Sequence, residues 1–171
     1  MNGFLNPIEV LKQLKLREDM VAADFGSGSG GWALPLAKKL EDGKVYVVDI
    51  LEESLSALKA GAKLAKISNI QTILADIEKV KEIFEESCDL VLMTNLLFQC
   101  EDKKNVLTEG RRILKKGGRI LVVDWKKDAV LGPEEGRALP EEVKEAALDL
   151  NLRIEKEFDA GPYHYGIILV K

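Results

Sequence analysis

Val21-Ala22-Ala23-Asp24-Phe25-Gly26-Ser27-Gly28-Ser29-Gly30-Gly31 is the stretch whose reading decides the fold. An apolar run ends in an acid, and a glycine-rich turn then opens what reads as a helix. About twenty residues beyond these glycines, the spacing of a nucleotide-binding unit, a second apolar run, Val45-Tyr46-Val47-Val48, ends in Asp49. That is the layout of a βαβ unit holding an adenosine-containing cofactor. The glycines let the backbone turn sharply and approach a ligand closely. The second acid can accept both hydroxyls of a ribose.

Outward from this unit, strand and helix signals alternate, which predicts a parallel sheet covered on both faces. Asn6-Pro7 starts a helix, with Asn as N-cap, Pro at the first helical position and Glu9 closing a capping box. Ile8, Leu11 and Leu14 mark its apolar face. Strand one is Met20 to Phe25. The next helix runs to about Leu40 and tolerates Pro35 in its first turn. Lys44 to Asp49 is strand two. Glu52 and Glu53 suit the positive end of a third helix, whose stripe is Leu55, Leu58, Ala62 and Ala65. Strand three is Ile70 to Leu74, a short helix covers Lys79 to Glu86, and strand four is Asp89 to Met93. Lys103 to Leu114 is helical and ends at Lys116-Gly117-Gly118. Strand five is Arg119 to Asp124, and Pro140 to Leu150 is helical. Two last strands, Arg153 to Phe158 and Tyr165 to Val170, flank a turn at Gly161-Pro162 and must pair antiparallel. The expectation is one domain over residues 1–171, with residues 1–17 forming a helix over the cofactor side.

Composition bounds the function. The 171 residues are 46% hydrophobic and 32% charged, and the net charge is -4. That is ordinary for a soluble globular domain and leaves no electrostatic footprint for nucleic acid or an anionic membrane. The N-terminus lacks a basic region followed by an apolar run, so no signal peptide is expected. No apolar run is long enough to span a bilayer. Two cysteines, Cys88 and Cys100, and one histidine provide neither a disulfide framework nor a zinc site. A cytoplasmic, metal-free protein is expected. Its oligomeric state is not legible.

Two cofactors compete for the glycine turn. Gly26, Gly28 and Gly31 satisfy G-x-G-x-x-G, which brings NAD(P) into consideration. Asp24 argues against it, because a carboxylate beside the turn is unhelpful to a pyrophosphate. S-adenosylmethionine has instead an ammonium, a sulfonium, a ribose diol and an adenine, with no phosphate. Asp24-Phe25-Gly26-Ser27-Gly28-Ser29-Gly30 resembles the D-x-G-x-G-x-G motif of class I S-adenosylmethionine-dependent methyltransferases. The resemblance extends to Ala75-Asp76-Ile77, to Cys88 through Asn95, and to Gly110 through Arg119, which is similar to their R-x-L-K-x-G-G turn. It implies a three-layer α/β/α sandwich with a seven-stranded, mostly parallel sheet of order 3-2-1-4-5-7-6 and an antiparallel last strand. It also implies that Asp49 meets the ribose and Asp76 the adenine amino group. Within the family the chain looks most like the small branch that includes the ubiquinone and menaquinone methyltransferases. It departs from those enzymes after strand four.

The expected cofactor residues are therefore Asp24, Gly26, Ser27, Gly28, Gly30, Trp32, Asp49, Ile50, Asp76, Ile77 and Asn95. Several have plainer readings. Asp49, Asp76 and Asn95 can each serve as helix N-caps, and Trp32 can be a core aromatic. Ile50 packs on the adenine face, and Thr94 and Asn95 border the reactive methyl. Arg111, Arg112, Lys115, Lys116 and Arg119 precede strand five, so they lie at the far end of the sheet. Lys126, Lys127 and Arg137 lie on the cofactor side. Gly161-Pro162-Tyr163-His164-Tyr165 is the candidate acceptor loop. His164, with Tyr163 beside it, can take a proton from an acceptor hydroxyl or amine, or can merely rigidify a turn. The D/N-P-P-Y motif of amino-group methyltransferases is absent at Asn95-Leu96-Leu97-Phe98. The leading expectation is methyl transfer to a small-molecule acceptor by in-line displacement. The alternatives are an RNA or protein methyltransferase, an inactive cofactor-binding subunit, and an NAD(P)-binding protein.

Overall fold

The computed structural model describes residues 4–171, so Met1 to Gly3 of the expected N-terminal cover lie outside the described residues. Seven strands form one sheet: β1 (Val21–Phe25), β2 (Lys44–Asp49), β3 (Ile70–Leu74), β4 (Cys88–Thr94), β5 (Leu114–Trp125), β6 (Arg153–Asp159) and β7 (His164–Val170). Their order is β3-β2-β1-β4-β5-β7-β6. The first five pair in parallel, and β7 is antiparallel to both β5 and β6. The helices are α1 (Pro7–Leu11), α2 (Ala33–Lys39), α3 (Glu52–Leu64), α4 (Lys103–Ile113) and α5 (Pro140–Asp149). This is the expected three-layer sandwich. No helix among the described residues is long and apolar enough to cross a membrane.

Alternation along the strands divides the core. Ala23, Phe25, Val91, Met93, Val122 and Ile167 face α4 and α5. Ala22, Val47, Leu92, Val123 and Ile168 face α1 and α2, together with Leu55 and Leu58 of α3. Because strand side chains alternate between faces, Asp24, Thr94, Trp125 and His164 all fall on this second face. All four stand at one end of the sheet, towards the carboxyl ends of the parallel β1, β4 and β5 and at the amino end of the antiparallel β7.

Local chemistry explains where the elements depart from the sequence reading. Asn6 caps α1, its Oδ1 accepting from the Ile8 and Glu9 amides at 3.1 and 3.4 Å. Glu9 does not close a capping box; its carboxylate accepts from Lys12 at 2.7 Å. The buried face is Val10, Leu11 and Leu14, and Ile8 is exposed, because so short a helix docks through its last turn. Pro35 sits at the third position of α2, where its missing N–H has no intrahelical partner to lose. The helix expected over Lys79 to Glu86 is a single 3-10 turn, Ile77–Lys79. Beyond it the Arg112 guanidinium donates to the carbonyls of Val80 and Ile83 at 2.8 and 3.0 Å, bonds a helix would have made internally. Lys116-Gly117-Gly118 is not a stop between elements. Leu114 pairs with Cys88 and Arg119 with Leu90, so the segment bulges out of one long strand.

The edge strands differ. β6 exposes Arg153, Glu155, Lys156, Glu157 and Asp159. β3 carries no charge along Ile70-Gln71-Thr72-Ile73-Leu74.

Candidate cofactor site

The site begins with backbone geometry. Gly26, Gly28 and Gly30 hold φ of +67°, +53° and +94°, whereas Gly31 does not enter the left-handed region. The turn therefore uses G-x-G-x-G rather than the G-x-G-x-x-G reading. At Gly26 any side chain would be strained by φ and would also press on the Leu96 side chain. The turn is fastened to β2, since Gly26 and Ser27 donate to the Val48 carbonyl at 2.8 and 3.2 Å.

Asp49 is the hinge of the arrangement. Its Oδ2 accepts from the Gly28 amide at 2.8 Å and its Oδ1 from the Leu51 amide at 2.9 Å. The capping role thus exists alongside any ligand role, because each carboxylate oxygen keeps a second lone pair. Asp76 likewise accepts from the Glu78 amide at 3.0 Å.

A cavity of about 580 Å³ opens beside these groups. Gly26, Gly28, Asp49, Ile50, Asp76 and Ile77 line it, so six of the expected residues converge. Glu78 and Glu101 bring its acids to four, and no lysine or arginine lines it. A wall with four carboxylates and no cation repels a pyrophosphate and suits hydroxyls, amines and cations.

Three more expected residues carry buried polar atoms without partners: both oxygens of Asp24, the Ser27 hydroxyl and Oδ1 of Asn95. Asp24 is fully buried, and desolvation, with Asp49 adding to it, pushes its pKa up to about 8. Asn95 holds φ of +50° at the end of β4, a costly conformation for a residue other than glycine.

Like these three, Gly30 and Trp32 are not part of the cavity lining. Gly30 packs against Leu34 and Leu58. Trp32 precedes α2 and is buried with Ala33 and Leu36, which is its plainer core reading. Tyr163 and His164 also lie apart from the cavity, in an aromatic cluster. The His164 ring lies 4.2 Å from Trp125 and 5.3 Å from Phe4, and Phe4 lies 5.5 Å from Tyr163. Burial, with nearby Lys126, pushes His164 down to about 4 from its ordinary 6.5.

Several members of the two cationic sets are bound up in structure. Arg137 donates to the carbonyls of Lys126, Lys127, Ala129, Leu131 and Pro133, and so knits the loop after β5. Lys126 pairs with Asp159 at 2.8 Å. At the far end, Lys115 pairs with Asp89 and Arg119 with Glu155. Asp124 escaped the sequence reading. Its Oδ1 accepts from the Trp125 amide at 2.8 Å and its Oδ2 from the Phe98 amide at 3.3 Å. It thereby anchors the segment that carries Leu96 over the glycine turn. The signal was available, since Asp124 ends a buried strand as Asp24 and Asp49 do.

Against known proteins, residues 16–160 match the model of a methyltransferase domain. A demethylmenaquinone methyltransferase of Bacillus mycoides is 25% identical over 133 residues, covering 77% of this chain and 55% of its own. The chain spans about half the length of the curated relatives it matches. A SAM-dependent methyltransferase from Aquifex aeolicus superposes with a TM-score of 0.88 at 25% identity, covering 96% of this chain and 89% of that one. The cyclase SpnF superposes at 0.85 with 14% identity, over 96% of this chain and 79% of its own, a likeness of fold alone. Sheet order, glycine turn and acidic cavity define a class I, Rossmann-like methyltransferase fold. The chain belongs to the methyltransferase-domain family, in its S-adenosylmethionine-dependent class.

Proposed function

We propose that this protein binds S-adenosylmethionine and transfers its methyl group to a small-molecule acceptor. The observation that carries the reading is Asp24, a buried carboxylate with both oxygens unpartnered beside the glycine turn. A ligand ammonium would satisfy it, and the anionic pyrophosphate of a dinucleotide would not. In this reading Asp49 accepts the ribose hydroxyls and Asp76 the adenine amino group, with Ile50 and Ile77 flanking the adenine. Gly26, Ser27 and Gly28 let the backbone approach the ligand, and Gly30 completes the turn that carries them. Asn95 and Thr94 border the reacting carbon.

When bound, S-adenosylmethionine supplies the electrophilic methyl, and its sulfonium becomes a thioether as the methyl leaves. The chain contributes orientation and exclusion of water. His164, with Tyr163 beside it, stands at the acceptor end. An imidazole held down to about 4 is a weak base, so its part is to hold the acceptor's polar group rather than to store its proton. The acidic wall and the occupied Arg137 and Lys126 speak for a small acceptor over RNA. A cytoplasmic location belongs to the same reading.

Calorimetric titration with S-adenosylmethionine, S-adenosylhomocysteine, NAD and NADP tests it. The first two should bind and the last two should not. Asp49→Ala should weaken S-adenosylhomocysteine by roughly tenfold to over a hundredfold, the loss of a charged hydrogen-bond acceptor. Nicotinamide binding without S-adenosylhomocysteine binding would overturn the proposal.

A further inference from the structure

We propose that the open rim of β3, with the groove between it and α3, is a docking surface for an extended acidic segment of a protein partner, which joins the sheet as a further strand. The inference stands apart from the methyltransferase reading, since no residue of Ile70–Leu74 lines the cofactor cavity.

The backbone of the rim comes first. Among the described residues β3 pairs with β2 alone and ends the sheet. The Asn69 carbonyl accepts from the Val45 amide at 2.9 Å, and the Ala75 amide donates to the Asp49 carbonyl at 3.1 Å. Residues along a strand alternate in the direction of their backbone groups, so Asn69, Gln71, Ile73 and Ala75 serve β2. Ile70, Thr72 and Leu74 turn their N–H and C=O groups outward. Folded proteins guard such an edge with charge, proline or a bulge. The opposite rim, β6, has both charge and a bulge, and β3 has none of the three.

The groove selects what lies along the rim. It is a hollow of about 330 Å³ whose lining includes Leu58, Ala62, Ile67 and Ile70 together with Lys59 and Lys63. At Ile67 it meets a second hollow, lined by Lys38, Lys66 and a single acid, Glu41. The stretch from Ser54 to Ala75 contains Lys59, Lys63 and Lys66 and no acid, in a chain whose net charge is -4. Among the described residues none of these four lysines forms an ion pair. Lys59 and Lys63 stand about 6 Å apart along the helix axis, one turn. Alternate residues of a strand stand about 6.6 Å apart on one face. Two carboxylates two residues apart on an added strand therefore match the two ammonium groups.

The same charges disfavour other occupants. A second copy adding its β3 about a two-fold axis would set both α3 helices on one face of the joined sheet, lysines against lysines. No aromatic side chain lines the groove, so the bases of a single-stranded RNA find nothing there to stack on. An acidic strand gains both the backbone bonds and the charge pairing, the β-augmentation mode of recognition.

The probes are acetyl-Glu-Val-Glu-Val-Glu-amide, the same peptide with lysine in place of glutamate, and oligouridylate. Each is titrated into isotope-labelled protein and followed by amide NMR. The Ile70, Thr72 and Leu74 amides should shift saturably with the acidic peptide and not with the basic one. The double variant Lys59→Ala/Lys63→Ala should weaken the acidic peptide by about threefold to tenfold, the scale of two exposed ion pairs. Thr72→Pro removes one outward N–H while leaving the bonds to β2 in place, and should abolish that binding. Should it fold poorly, the lysine variant carries the test. Unmoved rim amides would overturn the docking surface. An equal response to the basic peptide, or unchanged affinity in the lysine variant, would overturn its charge preference. Tighter binding of oligouridylate at the same amides would replace the protein partner with RNA, and self-association lost in Thr72→Pro would replace it with a second copy.

Discussion

Asp24 places function and stability in opposition at one residue. Its folded pKa is raised to about 8 from an ordinary 3.8. Between those values the folded protein holds a proton that the unfolded chain releases. Stability from this group is therefore present at low pH and is lost as pH rises through about 8. Asn is nearly isosteric and cannot ionise. Asp24→Asn should raise the melting temperature of the ligand-free protein at pH 8 and remove its decline between pH 6.5 and 8. The same change should weaken S-adenosylhomocysteine by roughly tenfold to over a hundredfold, the scale of a charged hydrogen bond. Melting curves and calorimetry on one preparation check both halves; a variant that melts lower at pH 8 would show the carboxylate to be stabilising when ionised.

At the scale of elements, Arg137 decides the shape of the loop from Lys126 to Arg137. Five carbonyls converge on one guanidinium, a geometry a lysine ammonium cannot copy. Arg137→Lys should leave S-adenosylhomocysteine affinity within about twofold, since the adenosine cavity lies on other elements. Limited proteolysis should then cut the loop several-fold faster. An unchanged cleavage rate would mean the loop is held by other contacts. This loop also marks the boundary of what a sequence discloses. The cofactor end was legible because Asp24, Asp49 and the glycines are local signals on periodic strands, whereas the strand order came only with the family resemblance that those residues carry. Arg137 read only as one of three charges on the cofactor side, because its partners are carbonyls, which carry no side-chain signature. The missing helix after Lys79 has the same cause, since its carbonyls are taken by Arg112 from α4. His164 is buried beside Phe4, which is distant in sequence, with no partner for either ring nitrogen, and no local pattern announces that.

For the whole molecule, the buried titratable groups set a pH profile. His164, held at about 4, stays neutral while the unfolded chain takes up a proton below 6.5, so its contribution is lost as pH falls from 6.5 toward 4. Asp124, raised to about 6, and Asp24 act in the opposite sense over that range. Above 6.5 only Asp24 among these three still titrates. The ligand-free protein should melt progressively lower from pH 6.5 to 8, and saturating S-adenosylhomocysteine should flatten that slope, because an ammonium partner keeps Asp24 ionised in the folded state. Scanning calorimetry with and without the ligand measures it, and a parallel slope in both conditions would remove Asp24 as its source.

The unequal edges of the sheet have a consequence for the protein's fate under stress. A charged rim such as β6 resists the addition of another strand, whereas the neutral rim of β3 offers bare amides and carbonyls to any extended chain nearby. Heat-induced aggregation should therefore nucleate at β3. Gln71 already accepts from Lys44 at 3.2 Å, so Gln71→Glu would place a charge on that rim with its partner in hand. Light scattering on heating should show the variant clumping later than the parent at equal melting temperature, and simultaneous onset would move the vulnerable surface elsewhere. A molecule whose sheet grows more readily from one side carries a built-in polarity: its misassembled forms would lengthen from the β3 rim, the strand that leads into Asp76 and Ile77 of the cavity wall.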